Sequence, residues 1–93
     1  MNYRIVICYA VKNLKDASTL SEILEENGFT ILSIVFCEGK NIYEVDAEIE
    51  LHDTCLGSVI EKTLRKLPAM YFLKYLRIDA YEEDEEIWSI KLK

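Results

Sequence analysis

The chain is poor in the residues on which several binding chemistries depend. Its 93 residues include one histidine and three cysteines, and 17 acidic side chains outnumber 11 lysines and arginines. No apolar run approaches the roughly 20 residues that span a bilayer, so we expect no membrane insertion. The N-terminal MNYRIVICYAV lacks the small-residue cleavage site of a signal peptide. It therefore indicates a first strand, and we expect a cytoplasmic protein.

The net charge of −6 disfavours polyanionic partners. Contacts to phosphates need clustered lysine and arginine, and the negative field of this chain would oppose them. We therefore expect no nucleic-acid binding. A chain of this length also has too little buried surface for a second core, so one folded core is predicted.

The three cysteines, Cys8, Cys37 and Cys55, are odd in number and show no C-x-x-C spacing. This pattern suggests neither a disulfide framework nor a thiolate metal clamp. The single histidine, His52, precedes Asp53 and lies three residues before Cys55, which leaves a small enzyme using these three residues as an alternative. Because the motif alone does not assemble a nucleophile, a base and an anion hole, we expect no catalytic residue, metal or cofactor.

The segment 42–51, IYEVDAEIEL, alternates apolar and acidic residues, which predicts a strand with one face in the core and one in solvent. The outward side chains are four acids: Glu44, Asp46, Glu48 and Glu50. Successive outward residues on a strand are about 6.6 Å apart, too far for two of them to chelate one ion. Acids at these positions also disfavour the base stacking of RNA-binding sheets. We therefore expect a solvated, charged surface.

The flanking segments also have the pattern of regular structure. Residues 3–11 are apolar on both faces, which indicates a central strand. Residues 13–28 have helical period, with Asp16 or Ser18 as the N-cap and Gly28 just beyond the C-terminus. The remaining pattern predicts a strand at 29–36, a turn at 37–41, a helix that starts at Asp53 or Thr54 and stops before Pro68, and a strand at about 72–81. The final IWSIKLK predicts either a short fifth strand or a partly ordered tail.

The order strand, helix, strand, strand, helix, strand predicts an α+β, ferredoxin-like βαββαβ sandwich. Right-handed crossovers give a four-stranded antiparallel sheet of order 4-1-3-2 with both helices on one face, and we call the other face the open face. This domain covers residues 1–81. Residues 82–93 form an acidic turn and a C-terminal extension.

The second strand lies at an edge of this predicted sheet. If Thr30, Leu32, Ile34 and Phe36 share the open face, they form an exposed apolar stripe, which small monomers rarely leave uncovered. We therefore expect a homodimer with Leu32, Ile34 and Phe36 in its interface.

Two segments resemble the ACT family of small regulatory domains. They are residues 20–34, LSEILEENGFTILSI, and residues 45–78, whose strand, helix and strand are similar to the second half of an ACT domain. ACT domains often bind an amino acid through the turn after the first strand, where Leu20 matches the family motif and Ser18 occupies its glycine position. The chain also resembles the ACT-like domain at the cytosolic C-terminus of magnesium-transporter-C proteins.

The resemblance implies a noncatalytic regulatory module that senses an amino-acid-like small molecule, forms homo-oligomers, or both. It implies that the effector lies near Asn13, Asp16, Ser18, Thr19 and Leu20, beside the hairpin end at 37–41. A detached cytosolic regulatory domain of a membrane transporter is an alternative with the same fold.

Overall fold

The computed structural model describes residues 2–52, 56–66 and 73–91. Within these ranges the chain forms five strands and two helices. In chain order they are β1 (Asn2–Val11), α1 (Leu14–Glu26), β2 (Thr30–Cys37), β3 (Ile42–His52), α2 (Leu56–Lys66), β4 (Leu73–Glu82) and β5 (Glu85–Lys91). None of the described helices is both long and apolar enough to cross a membrane.

The strands form one antiparallel sheet of order β2-β3-β1-β4-β5. The first four strands have the order predicted from the sequence, and the ferredoxin-like α+β core is confirmed. The sheet has five strands rather than four, because the possible short C-terminal strand does form and, as β5, extends the sheet beyond β4. Strands β1 and β3 are therefore both internal, as their apolar content and strict alternation indicate.

A two-residue turn joins β4 to β5. Glu83 and Asp84 both have positive φ, 48° and 69°, as a tight hairpin turn of the mirror-image type requires. Glu82 and Glu85 pair across this turn. The acidic turn expected within residues 82–93 is therefore only these two residues long. The segment after it forms a strand, one of the two alternatives that its sequence left open.

One face of the sheet shares a core with both helices. On β1 the side chains of Ile5, Ile7 and Tyr9 are buried, and α1 covers them with the residues spaced three and four apart in its sequence, Ala17, Leu20 and Leu24. Val59 and Ile60 of α2 pack against the same core. Burying one such large apolar side chain stabilises the fold by roughly 1.5–3 kcal/mol. The even-numbered residues of β1 consequently face the open side.

Capping residues set both ends of α1. Asn13 is the N-cap, with an extended backbone and an amide oxygen that accepts a hydrogen bond from the backbone N–H of Asp16 at 2.9 Å. The prediction that Asp16 or Ser18 caps the helix is therefore wrong, because both lie inside it. At the other end, Phe29 N–H donates to the carbonyl of Leu24 and Gly28 N–H donates to that of Glu25, which is the Schellman arrangement.

A β-bulge half-way along β2 moves the later side chains of the strand to the opposite face of the sheet. Ile31 pairs with Ala47, but Ser33 pairs with Asp46, so Leu32 is an extra residue in the ladder. Beyond the bulge, Ile34 pairs with Val45 and Phe36 with Tyr43. Paired residues share a face, so Ile34 and Phe36 lie on the helix-bearing face rather than on the open face. A bulge shifts the two-residue period by one and reverses every later side chain.

Candidate functional site

The predicted effector residues lie on the first turns of α1. Asn13 and Thr19 already make local hydrogen bonds, the latter from its Oγ1 to the carbonyl of Lys15 at 2.9 Å. Ser18 is exposed and Asp16 is half-buried, whereas Leu20 is only 1% exposed and belongs to the core. The exposed polar residues of this segment therefore include Asn13, Ser18 and Thr19, and Asp16 is partly accessible.

The hairpin end lies at the same end of the sheet as the start of α1. Val11, the last residue of β1, pairs with Tyr43, just inside the turn between β2 and β3. Cys37 closes that turn, since its carbonyl accepts hydrogen bonds from the backbone N–H groups of Lys40 and Asn41. The start of α1 and the turn at 37–41, the two predicted parts of the effector site, therefore lie at the same end of the sheet.

His52 ends β3 and is exposed. Its Nδ1 lies 2.6 Å from the side-chain oxygen of Asn2, its neighbour on β1. Asp53 and Cys55, the other two members of the alternative catalytic set, lie outside the described residues. Within the described ranges, no cluster of three or more histidine, cysteine or acidic side chains has metal-binding geometry.

The four predicted acids of β3 do lie on the open face, across from β1. Glu48, Asp46 and Glu44 are paired with Val6, Cys8 and Ala10, and Asp46 also accepts a hydrogen bond from Ser33 Oγ at 3.1 Å. Burial raises the pKa of the Cys8 thiol to about 12, and its hydrogen bond to Asp46 adds to the shift. A thiol with this pKa is an inert structural group rather than a nucleophile.

The edge strand β2 carries an exposed apolar surface. Leu32, Ile34, Val35 and Phe36 are 52%, 43%, 50% and 46% exposed, and we call these four residues the β2 stripe. Phe36 also contacts the ring of Tyr43, with 5.0 Å between the ring centroids. Because of the bulge, the β2 stripe is distributed over both faces of the edge rather than over the open face alone.

A cavity that the sequence did not predict lies at the opposite end of the sheet from the start of α1. It has a volume of about 190 Å³ and its lining includes Arg4, Glu50 and Tyr81 from three adjacent strands, together with Glu83 and Asp84 of the β4–β5 turn. The Arg4 guanidinium lies over the Tyr81 ring, 4.8 Å from its centroid. An isolated arginine on a central strand, facing a glutamate on the next, was the available sequence signal.

Comparisons with known proteins identify the fold but no family. No protein-family model matches the chain, and no curated protein sequence matches it. Among solved structures, the de novo designed protein Foldit4 has 19% sequence identity and a TM-score of 0.60, over 89% of this chain and 99% of its own.

Two natural proteins have the same fold. A phage SAM lyase in complex with S-methyl-5'-thioadenosine has 9% identity and a TM-score of 0.58, over 98% of this chain and 88% of its own. The ACT domain from the GTP pyrophosphokinase of Chlorobium tepidum has 10% identity and a TM-score of 0.54, over 99% of this chain and 100% of its own. The chain therefore shares the fold of an ACT domain, while similarities this distant carry no function with them.

Proposed function

We propose that this chain is a noncatalytic, cytoplasmic regulatory module of the ACT type, which forms a homodimer through β2 and binds a small effector. The observation that carries the proposal is the β2 stripe, an exposed apolar surface on an edge strand. Exposed edges present unpaired backbone groups that another strand can pair with, and soluble proteins usually protect them with charge.

The two edges of the sheet differ in this protection. Strand β2, TILSIVFC, contains no charged residue, whereas β5, EEIWSIK, contains Glu85, Glu86 and Lys91. A second copy of β2 would therefore meet no like charge along the strand, even though each chain carries a net charge of −6. This charge pattern favours pairing of β2 with its own copy over pairing through β5.

A two-fold axis beside β2 would pair the two strands antiparallel and extend the five-stranded sheet to ten strands. Such an interface is isologous, with the same residues contributed by both copies. Stable dimers bury roughly 800 Å² on each partner, so helix α1 beside the edge would contribute as well as the β2 stripe. Light scattering over a range of concentrations should give a mass approaching twice 10.9 kDa. A mass that stays at that of one chain at every concentration would remove the proposed dimer.

The effector site of this proposal lies at the start of α1. A helix N-terminus attracts anionic groups such as the carboxylate of an amino acid, and Ser18 is exposed beside it. The ACT fold of the C. tepidum domain supports this choice. Thermal unfolding with a panel of amino acids and nucleotides tests it, because a ligand at 100 times its Kd adds about 2.7 kcal/mol to stability. The panel should include S-methyl-5'-thioadenosine, the molecule bound to the phage SAM lyase.

A matched pair of variants locates any effector found in this way. Ser18→Glu adds a negative charge at the proposed site and should abolish the thermal shift, while Ser58→Glu makes the same change at an exposed position of α2 and should preserve it. A shift that survives in both variants would place the effector elsewhere on the molecule.

Two alternatives make different predictions. A small enzyme using His52, Asp53 and Cys55 would lose turnover on His52→Ala or on alkylation of Cys55. For the regulatory module, we expect dimerisation and effector binding to be unchanged by either modification. A detached domain of a membrane transporter would have the same fold and the same effector response, and it would bind its transporter chain when the two are produced together.

A further inference from the structure

The cavity is lined by Arg4, whose guanidinium makes no ion pair with a described residue. Arginine carries five N–H donors in a fixed fork. The Nε of Arg4 is buried, and no described residue provides it with a hydrogen-bond partner. The side-chain ion pairs among the described residues join Arg65 to Glu61, and Arg77 to Asp79 and Glu86. Arg4 is thus held by the ring of Tyr81 rather than by a carboxylate.

Buried donors nearly always have an acceptor, and the planar fork of arginine suits a carboxylate in particular. The stacking on Tyr81 restricts the orientation of the guanidinium, which lowers the entropy lost when an acceptor binds. Arg4 therefore has the chemistry and the fixed position of a carboxylate receptor within the cavity.

The other charged residues of the lining are acidic. Glu50 lies across from Arg4 on β3, and Glu83 and Asp84 belong to the β4–β5 turn. Asn2 N–H donates to one oxygen of Glu83 at 3.3 Å, which fixes this side chain at the cavity. Three carboxylates and one guanidinium thus line the same cavity. The excess negative charge favours a positively charged group beside the carboxylate that Arg4 would bind.

Ligands of a single charge fit this lining poorly. A simple anion would satisfy Arg4 but would face three carboxylates. A divalent cation would be repelled by the guanidinium, and the described residues show no group with metal-binding geometry. The volume of about 190 Å³ is below the roughly 300–1,000 Å³ of sites for drug-sized molecules, so the ligand is small.

We propose that this cavity binds a small zwitterion of the α-amino-acid class, with its carboxylate on Arg4 and its ammonium group among Glu50, Glu83 and Asp84. This site differs from the proposed effector site at α1. The two lie at opposite ends of β1, whose ten residues span about 30 Å. Binding in the cavity does not depend on dimerisation, since none of the described residues that line it belongs to β2.

The test uses the ¹⁵N-labelled chain and observes both the backbone amides and the side-chain Nε–H of Arg4 by NMR. Free L-α-amino acids are added singly, to about 10 mM, tenfold above a Kd of about 1 mM. At least one of them should shift the Arg4 Nε–H signal together with the amides of Tyr81, Glu83 and Asp84. If none does, or if the shifts map to residues 13–20 instead, the proposal is wrong, although the effector site at α1 would stand in the second case.

Chemical derivatives test the zwitterion without altering the protein. For any amino acid that binds, its N-acetyl derivative lacks the ammonium group and its decarboxylated amine lacks the carboxylate. Each should bind at least about tenfold more weakly, as expected for the loss of one charge-assisted contact. An N-acetyl derivative or acetate that binds equally well would identify a plain anion site and overturn the proposal. An amine that binds equally well would do the same by removing the role of Arg4.

Arginine variants complete the test. Arg4→Met keeps the apolar stem and removes the fork, and Arg4→Lys keeps the charge but not the fork, so both should lose binding. Arg77→Met makes the matched change at an arginine that already pairs with Asp79 and Glu86, and it should bind normally. Unchanged affinity in a folded Arg4→Lys protein would contradict the assignment of the carboxylate to Arg4.

Discussion

The phenolic oxygen of Tyr9 lies 2.9 Å from Oγ of Ser21 in the buried layer between β1 and α1. Both hydroxyls can also donate to the carbonyl of Ala17, Ser21 Oγ at 2.7 Å and the Tyr9 hydroxyl at 3.3 Å, so the three groups form a hydrogen-bonded relay in which either hydroxyl can be the donor to the other. This relay attaches the helix to the central strand at a point where the neighbouring contacts are apolar. It also satisfies both buried hydroxyl groups, which is the condition for burying them without a large desolvation cost.

Removing either hydroxyl should cost stability in a coupled way. Tyr9→Phe and Ser21→Ala should each lower the free energy of unfolding by about 1 kcal/mol, the usual net contribution of such a bond. The double variant should lose less than the sum of the two by at least about 0.5 kcal/mol, because the two changes remove the same bond. Urea unfolding of the four proteins measures this coupling. Strictly additive losses would show that the relay does not form.

Gly28 should be the glycine whose replacement lowers the stability of the fold most. Its φ of +91° lies in the left-handed region, and a Cβ added there would lie 3.2 Å from Cδ1 of Ile49. Gly28→Ala should therefore lower the free energy of unfolding by about 1–2 kcal/mol. Gly39→Ala is the control, since a Cβ there meets nothing within 4 Å, and it should change stability by less than about 0.5 kcal/mol. Equal effects at the two glycines would contradict the cap geometry.

The Cys8 thiol should be unreactive in the folded chain. With the pKa raised to about 12, the thiolate fraction at pH 8 is about 10⁻⁴, against about 10⁻¹ for a thiol of ordinary pKa. In a Cys37→Ser/Cys55→Ser background, iodoacetamide should therefore label native Cys8 about a thousandfold more slowly than the urea-unfolded chain. Native and unfolded rates within tenfold of each other would refute the burial of this thiol.

The same shifts predict a loss of stability at high pH. Burial raises the pKa of Cys8 from its ordinary 9.0 to about 12 and raises that of Tyr9 above its ordinary 10.0. Above pH 9 the folded state thus retains protons that the unfolded chain releases. The free energy of unfolding is therefore not reduced by these groups below pH 9, and it falls as the pH rises from 9 towards 12. Cys8→Ala should flatten the decline of the urea midpoint over that range. An equally steep decline in the variant would assign the effect to other groups.

Strand order was predictable because β3 alternates strictly and the two helical segments separate the strands. The N-cap of α1 was not, because Asn13, Asp16 and Ser18 all belong to residue types that cap helices, and only the backbone decides among them. The sheet face on which each β2 side chain lies could not be predicted either. The residues on either side of the bulge are mostly apolar, so the sequence pattern fits both registers.

The cavity at Arg4 could not be predicted from the sequence for a different reason. Its charged residues come from β1, β3 and the β4–β5 turn, which are more than 30 positions apart in the chain. They meet only if β4 continues into a hairpin with β5. That hairpin rests on positive φ at Glu83 and Asp84, residue types that favour such turns less than glycine or asparagine.

The proposed function depends on self-association through β2, and one pair of variants distinguishes this edge from the β5 edge. Ile34 on β2 and Ile87 on β5 are similarly exposed, at 43% and 46%, so the same change to lysine perturbs solubility and net charge alike. Only Ile34→Lys places a charge within the proposed interface.

The decisive measurement is the mass of wild type, Ile34→Lys and Ile87→Lys by sedimentation equilibrium at matched concentrations. We expect a dimer for wild type and for Ile87→Lys, and a single chain of 10.9 kDa for Ile34→Lys. A dimer that persists in Ile34→Lys, or one that dissociates in Ile87→Lys instead, would show that the chains do not associate through β2.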